Sequence, residues 1–118
     1  MIVDDSSTNN ILYESILVDE GYSVIISEDS KSAFNKLKKE MPDLLILDLM
    51  MPGMDGFHFL NEKNADMAIK DIPVIMVTAK ADKESEVKAL SLGVKRFLTK
   101  PVGIQDIVQN VEEVLLKK

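Results

Sequence analysis

Five side chains able to do chemistry stand where short apolar runs of this sequence end. Asp4 and Asp5 follow Ile2-Val3, and Asp48 follows Leu44-Leu45-Ile46-Leu47. Thr78 follows Val74-Ile75-Met76-Val77, and Lys100 closes the stretch that opens with Arg96-Phe97-Leu98. Three carboxylates gathered in one place repel one another, and each then favours its protonated form. A hard divalent cation removes that conflict. Mg²⁺ takes oxygen ligands in an octahedron, keeps several waters, and binds through one or two carboxylates together with phosphate oxygens. Lys100 cannot ligate a metal, but its ammonium is a compact charge suited to a phosphoryl oxygen. Thr78 can donate a hydrogen bond to the same group. Such a set suits phosphoryl transfer, where positioning and charge neutralisation supply most of the catalysis. One carboxylate is then left to act as nucleophile.

Each residue taken alone has a plainer reading. Asp4 or Asp5 can cap a helix or sit solvated in a loop. Asp48 precedes Met51-Pro52-Gly53-Met54-Asp55-Gly56 and can open a turn. A threonine at a strand end and a lysine before a proline are ordinarily structural or solvated. The plain readings do not cover all of them meeting on one edge of one sheet, and that meeting depends on the elements that carry them.

Two kinds of segment alternate along the chain. Short β-branched runs at Ile2-Val3, Ser23-Val24-Ile25-Ile26, Leu44 to Leu47, Val74 to Val77 and Arg96-Phe97-Leu98 are continuous rather than alternating, as in parallel strands covered on both faces. Between them lie segments with helical spacing. Phe34, Leu37 and Met41 share a face, as do Leu12 with Ile16, Phe57 with Leu60, and Val87 with Leu90; Ile104, Ile107, Val108, Val111 and Leu115 make the clearest stripe. Ser6, Ser7 or Thr8 can cap the first helix, while Gly21, Pro42 and Gly93 follow helices. The pattern is (βα) repeated five times, which predicts an α/β fold: a parallel sheet between two layers of helices, joined by right-handed crossovers. The flavodoxin-like order 2-1-3-4-5 fits five such units, and its ligands bind outside the carboxyl ends of the strands. In that order strands one, three, four and five are neighbours, so their polar ends converge on one cleft. The first strand has only three residues before the acids, which favours a natural chain beginning a few residues earlier over a frayed sheet edge.

Composition narrows the class of function. With 118 residues and 46% apolar content the chain is expected to form one domain over residues 1–118 with a sizeable core. There is no Cys, which excludes disulfides and thiol-based metal sites. The net charge of −6 and a pI near 4.7 argue against a domain that grips nucleic acid by itself. No apolar run approaches a membrane span and no signal peptide is visible, so a cytoplasmic location is expected.

Four stretches resemble the receiver domain of two-component response regulators, and the resemblance covers nearly the whole chain. They are Ile2-Val3-Asp4-Asp5-Ser6, Leu45-Ile46-Leu47-Asp48-Leu49-Met50-Met51-Pro52-Gly53-Met54-Asp55-Gly56, Pro73-Val74-Ile75-Met76-Val77-Thr78-Ala79 and Phe97-Leu98-Thr99-Lys100-Pro101. The resemblance implies that Asp48 accepts a phosphoryl group from the phosphohistidine of a histidine kinase or phosphotransfer protein. It implies that Mg²⁺ (or Mn²⁺) is held by Asp5, Asp48 and the Met50 backbone carbonyl, with Asp4 acting through water. Thr78 and Lys100 would engage the phosphoryl group, Phe97 would be the switch aromatic, and Lys100-Pro101 a cis peptide bond. The face of helix four, strand five and helix five would carry the signal to an output partner. Homodimerisation on phosphorylation is left open, as is the choice between a stand-alone regulator and a receiver from a longer response regulator or hybrid kinase.

Rival readings fare worse. A flavin module sharing the fold would use Ser6-Ser7-Thr8 as a phosphate loop, but two adjacent carboxylates oppose a bare phosphate there. Phosphomonoester hydrolysis lacks a cap or recognition pocket, and nucleotide-binding glycine motifs are absent. A phosphorylation-independent binding module of the same fold is the serious alternative. His58, the one histidine, reads as a surface residue. The seven Met residues read as core filler, with Met50, Met51 and Met54 as exceptions beside the cleft.

Overall fold

In the computed structural model, which describes residues 1–51, 54–79 and 82–116, five strands form one parallel sheet. They are β1 (Ile2–Val3), β2 (Ile26–Ser27), β3 (Leu45–Asp48), β4 (Val74–Thr78) and β5 (Arg96–Thr99), in the order β2-β1-β3-β4-β5. Five helices connect and follow them: α1 (Ser7–Asp19), α2 (Ser30–Glu40), α3 (Gly56–Asn64), α4 (Lys83–Ser91) and α5 (Ile104–Leu116). The flavodoxin-like order expected from the alternation is the observed one. Pro52 and Gly53, named in the sequence reading, lie outside the described residues.

Successive strand residues point to opposite faces, and here both faces are apolar. Val3, Leu45, Leu47, Val74 and Met76 pack with α2, α3 and α4 through Leu37, Phe59, Leu60 and Ala89. Ile2, Ile46, Ile75 and Val77 pack with α1 and α5 through Tyr13, Leu17, Ile107 and Val111. That two-sided burial is why the strands read as continuous apolar runs.

The register is set from the centre. Ile2 pairs with both Ile26 and Ile46, and Val3 with both Ser27 and Leu47. Backbone bonding extends past β1 at each end, since Ile46 N–H donates to the Met1 carbonyl at 2.8 Å and Asp4 N–H to the Ser27 carbonyl at 3.2 Å. Because β1 offers so few partners, β2 forms only at Ile26–Ser27, later than the Ser23 to Ile26 run expected; Val24 and Ile25 still pack on opposite sides of the sheet.

Several helical faces differ from the sequence reading. In α1 the buried residues are Asn10, Tyr13 and Leu17, whereas Leu12 is exposed and Ile16 only half-buried. A buried asparagine within the stripe masks the apolar period. In α4 the buried residues are Ser85 and Ala89, and Val87 and Leu90 face outward. Met41 does not extend the α2 face: it is an exposed C-cap with left-handed backbone, φ 48°. Ile104 is exposed at the start of α5, while Ile107, Val111 and Val114 carry the packing. Met41, Met50 and Met67 are exposed, so the methionines are not uniformly core filler.

Candidate functional site

The carboxyl ends of β1, β3, β4 and β5 build one edge, and local hydrogen bonding fixes what each presents there. Asp4 extends the β1 ladder, and its Oδ1 accepts the Ser6 amide at 2.9 Å. Ser6 is the N-cap of α1, its Oγ accepting from the Asn9 amide. Asn10, one turn into α1, donates from Nδ2 to the Asp4 carbonyl at 2.9 Å. Asp5 is left exposed beside the buried Asp4. Asp48 ends β3, and its Oδ1 accepts the Met50 amide at 3.1 Å. The turn-forming reading of Asp48 therefore holds together with its place in the cleft. The chain then passes through a short antiparallel pairing of Met50–Met51 with Met54–Asp55 into α3. Gly56 closes this segment, its amide donating to the Leu49 carbonyl at 2.9 Å. A Cβ at Gly56 would lie 2.8 Å from Leu49 Cα, so only glycine allows that approach.

Lys100 ties the edge together. From the end of β5 its Nζ donates to Asp4 Oδ2 at 2.9 Å and to Asp48 Oδ2 at 3.1 Å. Its backbone N–H donates to the Thr78 carbonyl at 2.8 Å, and the Lys100-Pro101 peptide bond is cis. Carboxylate oxygens of Asp4, Asp5 and Asp48 lie within 4.8 Å of one another. The cleft at this edge, about 460 Å³, is lined by Asp5, Asp48, Met50, Ala79 and Lys100.

The charges are unequal: among the described residues, one ammonium stands between two buried carboxylates. Burial pushes the Asp48 carboxyl above its ordinary range, and the hydrogen bonds from Lys100 and the Met50 amide offset only part of that. Burial pulls the Lys100 ammonium down, but its bonds to Asp4 and Asp48 outweigh burial, so its pKa rises. The lysine is over-compensated and the carboxylate under-compensated, which is the sign expected of a site short of positive charge. Hard oxygen donors in this number and proximity fit a cation of the Mg²⁺ type.

The remaining sequence-predicted residues are placed as follows. Thr78 ends β4 and is wholly buried, and it does not line the cleft. Phe97 pairs in register with Met76 and is half-buried against the core on the α2–α4 side. His58 is exposed and pairs with Glu62 at 2.6 Å, away from the cleft. Sequence reading missed Asn10 and Tyr13. Tyr13 is buried near enough to feel Lys100, Asp4 and Asp48, and its phenol is pushed up chiefly by burial. The spacing of Asn10, Tyr13 and Leu17 was the available signal, obscured because asparagine does not register as an inward-facing residue.

The family model described as the response regulator receiver domain matches residues 1–112. This chain belongs to that family. The receiver is 31% identical over 115 residues to the phosphate regulon transcriptional regulatory protein PhoB of Escherichia coli (strain K12), a match covering 98% of this chain and 50% of PhoB. It is 36% identical over 102 residues to the response regulator PleD of Caulobacter vibrioides (strain NA1000 / CB15N), covering 86% of this chain and 22% of PleD. The receiver thus spans half or less of the length of these curated relatives. Among solved structures it is similar to the chemotaxis protein CheY4 of Vibrio cholerae, with TM-score 0.89 and 28% identity over 96% of this chain and 94% of that one. It is also similar to the signal receiver domain of a signal transduction histidine kinase from Syntrophus aciditrophicus, with TM-score 0.87 and 31% identity over 98% of this chain and 88% of that one.

Proposed function

We propose that residues 1–118 form one receiver domain of the cytoplasm that takes a phosphoryl group on Asp48 and catalyses its own modification. An Asp48 carboxylate oxygen attacks the phosphorus of a phosphohistidine on a histidine kinase or phosphotransfer protein. The O–P bond forms as the N–P bond breaks, and the imidazole leaves. Asp5, Asp48 and the Met50 backbone carbonyl, with Asp4 through water, would hold Mg²⁺ (or Mn²⁺), which when bound neutralises charge on the phosphoryl oxygens. Lys100 exchanges its bond to Asp48 for one to the phosphoryl group that Asp48 then carries. The single observation that carries this reading is Lys100 Nζ bridging two buried carboxylates contributed by residues 96 and 52 positions away in sequence.

The output follows from the neighbours of that bridge. Thr78 stands beside Lys100 through the 2.8 Å backbone bond; its hydroxyl swings toward the modified Asp48, and Phe97 moves inward into the space released. The face of α4, β5 and α5 then differs between the two states, and the phosphoryl group favours the state that gathers Thr78 and Lys100 around it.

The test is intact-protein mass after incubation with Mg²⁺ and a small-molecule phosphodonor, for the parent and for Asp48→Asn. One phosphoryl group gained by the parent and none by the variant is expected. Stoichiometric labelling of Asp48→Asn would move the acceptor elsewhere. No uptake by the folded parent from two different donors would favour a binding module that works without phosphorylation.

A further inference from the structure

Among the described residues, one buried side-chain polar atom, Asn10 Oδ1, receives no hydrogen bond. Asn10 is 3% exposed and lies on the face of α1 that Tyr13 and Leu17 bury in the core. Its Nδ2 donates to the Asp4 carbonyl at 2.9 Å. A carbonyl only accepts, so this partner fixes which amide atom faces Asp4 and which is left over. A buried acceptor without a donor costs stability, a cost that an apolar side chain of the same branched shape, such as leucine, does not carry on its own atoms.

The one bond the side chain makes lands on the peptide joining Asp4 to Asp5. The orientation of that peptide plane decides where the Asp5 side chain starts. Asp4 itself is secured independently, by the Ser6 amide on Oδ1 and Lys100 on Oδ2. Asp5 has no such tether: among the described residues its carboxylate makes no hydrogen bond or ion pair. It nevertheless stands within 4.8 Å of the Asp4 and Asp48 oxygens, where like charge pushes it away.

We infer that Asn10 is a positioning residue of the acidic cleft. It holds the Asp4–Asp5 peptide plane, and through it Asp5, against carboxylate repulsion, and it does so with its own oxygen left unpaired. The inference rests on the reading of the cleft as a cation-dependent phosphoacceptor site.

Asn10→Leu tests it, because leucine keeps the branched shape and removes both the donor and the orphaned acceptor. In the metal-free protein, the residual dipolar coupling of the Asp5 N–H reports the orientation of the Asp4–Asp5 peptide. That coupling is expected to shift well outside error in Asn10→Leu, while couplings in β3 and α5 keep their parent values. Calorimetric titration with Mg²⁺ is expected to show affinity weakened about tenfold, the usual effect of losing a group that orients a ligand. Leu17→Ala, two turns along the same face, serves as the control: it should lower the melting temperature and leave both the Asp5 coupling and Mg²⁺ affinity unchanged. Asn10→Ala gives the same two readings should the leucine variant fail to fold. An unchanged Asp5 coupling in a folded Asn10 variant overturns the inference, as does an equal loss of Mg²⁺ affinity in Leu17→Ala. A parent that binds no Mg²⁺ would instead remove the cation from the function proposed above, and the metal-free coupling would still decide the role of Asn10.

Discussion

At the scale of the residue, the cleft is a charge problem solved by one lysine. Asp4 and Asp48 are both buried, and Lys100 Nζ is the cation that bonds them, at 2.9 and 3.1 Å. Removing it leaves two buried carboxylates facing each other, which lowers metal-free stability by on the order of 2 kcal/mol. Mg²⁺ takes over the same neutralising task, so Lys100→Ala should lose phosphoryl uptake or its conformational consequence by at least about tenfold. Its Mg²⁺ affinity should not fall. Paired measurements of labelling rate and Mg²⁺ titration check this, and a variant that labels normally but binds Mg²⁺ poorly would mean Lys100 serves the metal instead.

At the scale of the element, the helices differ in how firmly they are held. α5 buries Ile107, Val111 and Val114, three branched apolar side chains. α4 buries only Ser85 and Ala89, which remove little apolar surface from water. Two outer contacts assist it: Lys88 Nζ lies 4.5 Å from the Phe57 ring centroid, and Asn64 Nδ2 donates to the Leu92 carbonyl at 3.0 Å. An exposed cation–π contact contributes roughly 0.5–1 kcal/mol, so α4 has less to lose by moving than α5. Amide hydrogen exchange should therefore be faster across α4 than across α5. Equal protection of the two helices would remove α4 as the element that responds to Asp48.

At the scale of the whole molecule, one linkage should be visible in unfolding experiments. A cation that binds the native cleft and not the unfolded chain stabilises by mass action, about 1.4 kcal/mol at ten times its dissociation constant. The melting temperature should thus rise with millimolar Mg²⁺, and no change would count against the cation site.

The sequence by itself determined the alternation, the strand order and the polar residues at the ends of β1, β3, β4 and β5. These depend on local signals: continuous β-branched runs mark strands covered on both faces, and the chain must leave each run on the cleft side. Which helical face is buried was decided only in three dimensions, because burial depends on what lies beneath a helix. Asn10 faces inward on α1 since it meets the Asp4 carbonyl there. Ser85 and Ala89 face inward on α4 where larger neighbours Val87 and Leu90 do not. The pairing of Lys100 with Asp4 and Asp48 belongs to the same class. Residues so far apart in sequence are brought to hydrogen-bonding distance only by the parallel register, which sets the ends of β1, β3, β4 and β5 side by side.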